Sequence, residues 1–138
     1  MRTSITIALI CWVLSSTGHA AESADPILTA GLQAWLTNGA EAGLKSWYSD
    51  SPDIAFEMKE KLLPIIKDLG RVIDTEVVAI QPISKRVTRY YVAVYFARSP
   101  LWIRVDRYAG DGKTSYLPML FSVNPDRILP GYLTEFQL

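Results

Sequence analysis

Two adjoining stretches decide the fold: Arg89-Tyr90-Tyr91-Val92-Ala93-Val94-Tyr95-Phe96, and then Ser99-Pro100-Leu101-Trp102-Ile103-Arg104-Val105-Asp106-Arg107-Tyr108. β-branched and aromatic residues dominate both, and the large apolar side chains recur at every second position, the period of a strand with one buried face. Arg98-Ser99-Pro100 is too short a link for a crossover, so the two strands must run antiparallel as neighbours. Alternation places Tyr90, Val92, Val94 and Phe96 on one side with Leu101, Ile103 and Val105. The opposite side carries Arg89, Tyr91, Ala93, Tyr95, Trp102, Arg104, Asp106 and Tyr108, a mixture of aromatic and charged groups.

Outward from this pair, Ala109-Gly110-Asp111-Gly112-Lys113 is a second short turn. It leads to a strand over about 115–123 with Leu117, Met119, Phe121 and Val123 facing inward and Tyr116 and Leu120 on the open side. On the other flank a strand spans about 72–81. Its adjacent Val77 and Val78 break the alternation, and a bulge there turns Asp74 and Glu76 toward the open face. Everything before Val72 reads as helix. Ser23-Ala24-Asp25-Pro26 caps a helix bearing Ile27, Leu28, Leu32, Trp35 and Leu36, which Asn38-Gly39 stops. A short second helix carries Ala40, Leu44, Trp47 and Tyr48. Ser51-Pro52-Asp53 opens a third with Ile54, Met58, Leu62, Ile65, Ile66 and Leu69 at helical spacing, and Pro64 predicts a kink or a fresh turn before Gly70. Trp35, Trp47 and Phe56 read as core. Helices first and strands afterwards specify an α+β domain: N-terminal helices on one face of a bent four-stranded antiparallel sheet.

The first 20 of the 138 residues have the anatomy of an export signal, namely Arg2, an apolar run from Ile5 to Leu14, a polar stretch and Gly18-His19-Ala20 at the cleavage position. A helix of ten apolar residues spans about 15 Å, half the bilayer core, so no membrane anchor is expected. The mature chain, residues 21–138, is then a single periplasmic or secreted domain. Cleavage removes the one cysteine, Cys11, and the one histidine, His19. What is left excludes disulfides, thiolate or imidazole metal sites, and Cys-His or Ser-His-Asp nucleophiles. No metal and no cofactor are expected. Gly110 and Gly112 lack the context of a phosphate cradle, and Asp106 and Asp111 are too few and wrongly spaced for a calcium loop. Residues 21–68 hold four lysines and eight acidic residues, whereas residues 69–138 hold nine basic and six acidic ones. The charge is thus segregated but nearly balanced, and no pull toward nucleic acid results.

The run of helices, the Leu69-Gly70 break and the two strands quoted above resemble the cone-shaped NTF2-like (cystatin-like superfamily) fold, in particular small exported bacterial members without assigned activity. The resemblance implies a helix-backed, strongly bent sheet. It does not choose a function, since such folds include isomerases, dehydratases, transport factors and dimerisation modules. The Asp-His pair of the dehydratase-type members has no counterpart after residue 20, and Gln81-Pro82-Ile83-Ser84-Lys85 breaks the cystatin inhibitor signature.

The open sheet face is therefore the candidate site. Tyr91, Tyr95, Trp102, Tyr108 and Tyr116 offer flat apolar area, and Arg104 and Asp106 offer orientation, for a homodimer or a small apolar or aromatic ligand. Spacing also predicts that Arg104 and Asp106 pair across a dimer axis. The alternative is a histidine-independent acid/base enzyme of isomerase or lyase type, with Asp74 or Asp106 desolvated in the mouth of the cone and a tyrosine as its partner. Mass spectrometry of the exported protein is expected to show a chain that begins at Ala21 or close to it, since Ala21 offers a second cleavage site one residue later; an intact Met1 terminus in membrane fractions would remove the basis of the export reading.

Overall fold

The computed structural model describes residues 24–135; the expected export segment, residues 1–20, lies outside them. Three helices come first. Asp25 caps α1 (Pro26–Asn38), its Oδ1 accepting the Ile27 N–H at 2.7 Å, and Pro26 occupies the position where a missing N–H is harmless. Gly39, at φ 95°, ends α1 and starts α2 (Ala40–Trp47) without an intervening loop. A fold-back this tight needs a close approach, and Gly31 provides it: a β-carbon there would lie 2.0 Å from the Trp47 indole nitrogen. That nitrogen donates to the Leu28 carbonyl at 3.0 Å, which satisfies a buried polar atom and locks the two helices together. α3 (Pro52–Ile66) continues for two residues beyond Pro64. The absent proline N–H falls in its last turn, and Gly70 then redirects the chain into the sheet.

The sheet consists of β1 (Val72–Pro82), β2 (Val87–Phe96), β3 (Pro100–Ala109), β4 (Thr114–Tyr116) and β5 (Leu120–Ser122). All pairings are antiparallel in the order β1-β2-β3, and both β4 and β5 pair with β3. The expected α+β class is what is seen. The bulge at Val78 is also present: the register slips between Val77 and Ala79, which sets Val77 opposite Val92 yet Ala79 opposite Tyr91. One slipped residue inverts the facing of those before it, until a second slip between Val72 and Asp74 turns Val72 back toward the core. Asp74 and Glu76 consequently lie opposite Tyr95 and Ala93 on the open side.

The expected single strand over 115–123 is instead two, because Pro118 cannot donate to a ladder and interrupts it. The break changes the alternation. Phe121 and Met119 still pack inward, but Leu117 and Val123 are exposed, and Tyr116 joins the helix-side core rather than the open face. The core lies between the helices and the inner face of β2 and β3, with Leu28, Trp35, Leu44, Leu62, Val92, Val94, Leu101 and Ile103 all essentially inaccessible. Phe56 is not part of it; the ring is 64% exposed. Ile65, on the expected inner stripe of α3, is likewise exposed. A 3₁₀ turn (Pro125–Arg127) and a short α4 (Gly131–Thr134) complete the described chain.

An ion pair joins the helices to the sheet at the edge of this core. Arg107, at the end of β3 and on the helix side, donates Nη1 to the Asp25 carboxylate. The guanidinium also stands 6.0 Å from the Tyr90 ring centre. Burial alone would push the Asp25 carboxyl up, but the hydrogen bonds from Arg107 and from the Ile27 N–H, with the nearby positive charge, hold it below its ordinary value of 3.8. Tyr116 lies against this pair, and burial followed by the Asp25 charge keeps its phenol protonated well above the usual range. Asp25→Asn retains a capping side chain but loses the charge, and is expected to cost about 1–3 kcal/mol at neutral pH. A depressed folded-state pKa gives stability that is complete above the unfolded value and disappears as pH falls through the folded one. The gap between wild type and variant should therefore close below pH 3.8; a gap in urea titrations that stays constant from neutral to acid would show that the charge contributes nothing.

Candidate functional site

Cross-strand register builds the open face in rows. Glu76, Ala93, Trp102 and Ser122 form one row; Ala79, Tyr91, Arg104 and Leu120 form the next; Gln81, Arg89 and Asp106 form a third. Tyr95 flanks the first row and Tyr108 the last. Six of the seven predicted site residues thus share one face, and Tyr116 is the exception already described.

Their chemistry differs from the expectation in one important respect. Asp106 does not wait for a partner molecule. Arg89, directly opposite on β2, holds both carboxylate oxygens, Nε to Oδ1 at 2.9 Å and Nη2 to Oδ2 at 3.0 Å. The fork geometry is the strong form of this interaction and fixes both side chains. Spacing of two along β3 puts Arg104 and Asp106 on the same side, but it cannot reveal which residue lies opposite each. Arg104 is left, partly buried between Tyr91 and Leu120, without a hydrogen bond or ion pair among the described residues.

The aromatic groups also divide. Tyr91 is on the predicted face but only 4% exposed, its hydroxyl 3.3 Å from Gln81 Oε1. It and Ala93 are buried outside the helix-side cluster, as is Ile128 from the C-terminal segment. Tyr91 therefore forms the floor of the face rather than its contact surface. Trp102 and Tyr95 are partly accessible, and Tyr108 and Leu120 are exposed. Tyr95 donates its hydroxyl to Glu76 Oε2 at 2.6 Å, and this hydrogen bond, with lesser contributions from desolvation and from the charges of Glu76 and Asp74, raises the phenol pKa to about 12.

A second feature was not visible in the sequence. Between α2 and α3 lies a half-open cavity of about 470 Å³, floored by Leu44, Tyr48 and Ala55, walled by Phe56, and edged by Lys45 and Lys59. The sequence reading assigned Phe56 to the core because it is large and apolar. The one available signal was its position, off the Ile54-Met58-Leu62 stripe. A smaller hollow of about 40 Å³ lies near Trp47 and Ser115. Neither involves Tyr91, Tyr95, Trp102, Arg104, Asp106 or Tyr108.

Among the described residues no three His, Cys, Asp or Glu side chains are grouped to hold a metal ion, and no helix is long and apolar enough to cross a membrane. Comparison with protein-family models, curated proteins and solved structures finds no match to this chain. Glu76→Gln is expected to return the Tyr95 phenol from about 12 toward its ordinary value of 10.0. Phenolate absorbance or ring NMR shifts followed from neutral to alkaline pH read this directly, and an unchanged Tyr95 titration in the variant would show that the Glu76 contact does not form in solution.

Proposed function

We propose that the protein is an exported binding module whose open sheet face pairs with a second copy of the chain. The observation that carries this reading is Arg104, a partly buried cation without a charge partner among the described residues, on a face where Trp102, Tyr95, Tyr108 and Leu120 keep accessible apolar area. Partly burying a guanidinium between cross-strand neighbours that carry no charge, Tyr91 and Leu120, is costly unless an anion completes the site. The same face supplies candidate anions: Asp74 and Glu76 on β1 are both exposed and lie two strands away from β3. A two-fold axis over β2 lays the β3 of one protomer across the β1 of its partner, so a single surface offers both charges to itself. Such pairs set register and encounter rate more than affinity, which has to come from the aromatic area.

A small apolar or aromatic ligand on this face remains the secondary form of the same reading, although neither cavity reaches the residues that would hold it. The acid/base enzyme has less support. Asp106 commits both oxygens to Arg89, Asp74 is exposed to water, and the buried carboxylate, Asp25, is held in its ionised form by Arg107. A general acid needs the opposite arrangement, a carboxyl whose charge is disfavoured by its surroundings.

Sedimentation equilibrium of the mature chain is expected to show a dimer at micromolar concentration. Trp102→Ala should weaken it by about 2 kcal/mol, roughly thirtyfold, if the indole is a central anchor. Arg104→Glu should weaken it further by placing like charges against Asp74 and Glu76. A wild type that remains monomeric at high micromolar concentration would refute self-association.

A further inference from the structure

We propose that the groove between α2 and α3 is a binding site for a small molecule with an apolar body and a single carboxylate. This site is separate from the sheet face and does not depend on how that face is used. At about 470 Å³ the groove falls within the range of small-molecule sites. Its floor is core material: Leu44 is 1% and Tyr48 2% exposed. The Tyr48 hydroxyl is already engaged, donating to the Leu117 carbonyl at 2.9 Å, so the apolar ring is what remains for a ligand. Ala55 contributes only a methyl group at a position where a longer side chain would fill the space between the helices. Phe56, 64% exposed, contributes an apolar wall to the groove. A ligand body seated there covers the most exposed large apolar side chain of α3.

The rim selects the head group. Lys45 Nζ and Lys59 Nζ both approach the same oxygen of Glu41, at 3.4 and 3.3 Å. Two ammoniums and one carboxylate leave one positive charge at the mouth of an apolar groove. Each ammonium has three donors, and the shared carboxylate oxygen uses one of each, so four are free to receive an anion. The surplus matches a monoanion. A dianionic phosphate head would leave a negative charge uncompensated beside Glu41, and a neutral head would leave the surplus unanswered.

The test is titration of the mature protein with decanoate, 1-decanol and decyl phosphate, each below its aggregation limit, followed by amide NMR shifts. Decanoate is expected to bind saturably and about tenfold or more tightly than decanol. Lys45→Gln/Lys59→Gln should bring decanoate to or below the level of decanol, because the rim then keeps only the Glu41 carboxylate. Ala55→Leu should abolish both while keeping or raising the thermal midpoint, because it fills the groove with an apolar group. The proposal fails if decanoate does not saturate, if decanoate and decanol bind equally, if decyl phosphate binds more tightly than decanoate, or if the folded Ala55→Leu variant still binds. A response that Ala55→Leu leaves intact but Trp102→Ala removes would place the ligand on the sheet and likewise overturn it.

Discussion

The ion pair between Asp25 and Arg107 joins residues 82 positions apart and fastens the first turn of α1 to the far end of β3. The remaining attachment of helices to sheet is mostly apolar, and apolar contact is non-directional: it holds two layers together without fixing how one slides over the other. Directional groups supply that. Asp25 and Arg107 pin one point, and the Tyr48 hydroxyl on the Leu117 carbonyl pins a second, near the β4–β5 link. Asp25 does three things at once: it caps α1, neutralises Arg107, and sets the charge beside Tyr90 and Tyr116. Because the pair is mostly buried, removing either partner alone would strand a charge in the core.

With the layers pinned, the two sheet faces follow from two local irregularities. The Val78 bulge reverses the alternation ahead of it and delivers Asp74 and Glu76 to the open side. Pro118 does the converse for the last strand, releasing Tyr116 into the core. The first was legible because two adjacent valines cannot both obey a period of two. The second was not, although the proline was in plain sight. Leu117, Met119, Phe121 and Val123 alternate so well across Pro118 that the pattern conceals the interruption, and hydrogen-bonding capacity overrides hydrophobic pattern.

Legibility of the candidate site stops at a definable point. Alternation within a strand says which residues share a face, and it placed Tyr91, Tyr95, Trp102, Arg104, Asp106 and Tyr108 together correctly. Which residue stands opposite which is a property of register, set by the turns. Only register reveals that Asp106 faces Arg89 and that Arg104 faces Tyr91 and Leu120. Burial is less legible still: Tyr91 and Trp102 look alike in sequence, yet the tyrosine is the floor of the face and the tryptophan part of its surface. The helical groove was out of reach altogether, since it depends on how far apart α2 and α3 are held. The alanine at position 55 and the outward Phe56 acquire meaning only once that spacing is known.

The segregation of charge along the chain, acidic before Leu69 and basic after it, also takes on a physical role. Read alone it suggests two faces of opposite sign. In the fold the acidic part is the helical layer and the basic part the sheet, so the imbalance becomes attraction between layers. Arg107 meets Asp25, and Lys113 on the second turn meets Asp50 after α2 at 3.6 Å. The two contacts are unequal. Lys113 and Asp50 are both more than 60% exposed, a setting in which such pairs contribute little. Asp25 is 8% exposed, where a partner decides whether the charge is tolerated at all. Long-range attraction favours docking helices on sheet over the competing arrangements, and the buried pair then selects one register of that docking. Arg89 and Asp106 repeat this within the sheet, whereas Glu41 links α2 to α3 through Lys59 in a more exposed setting. Arg104 is set apart because it is a partly buried cation that no such partner reaches within the described chain, and it lies on the open face of the sheet.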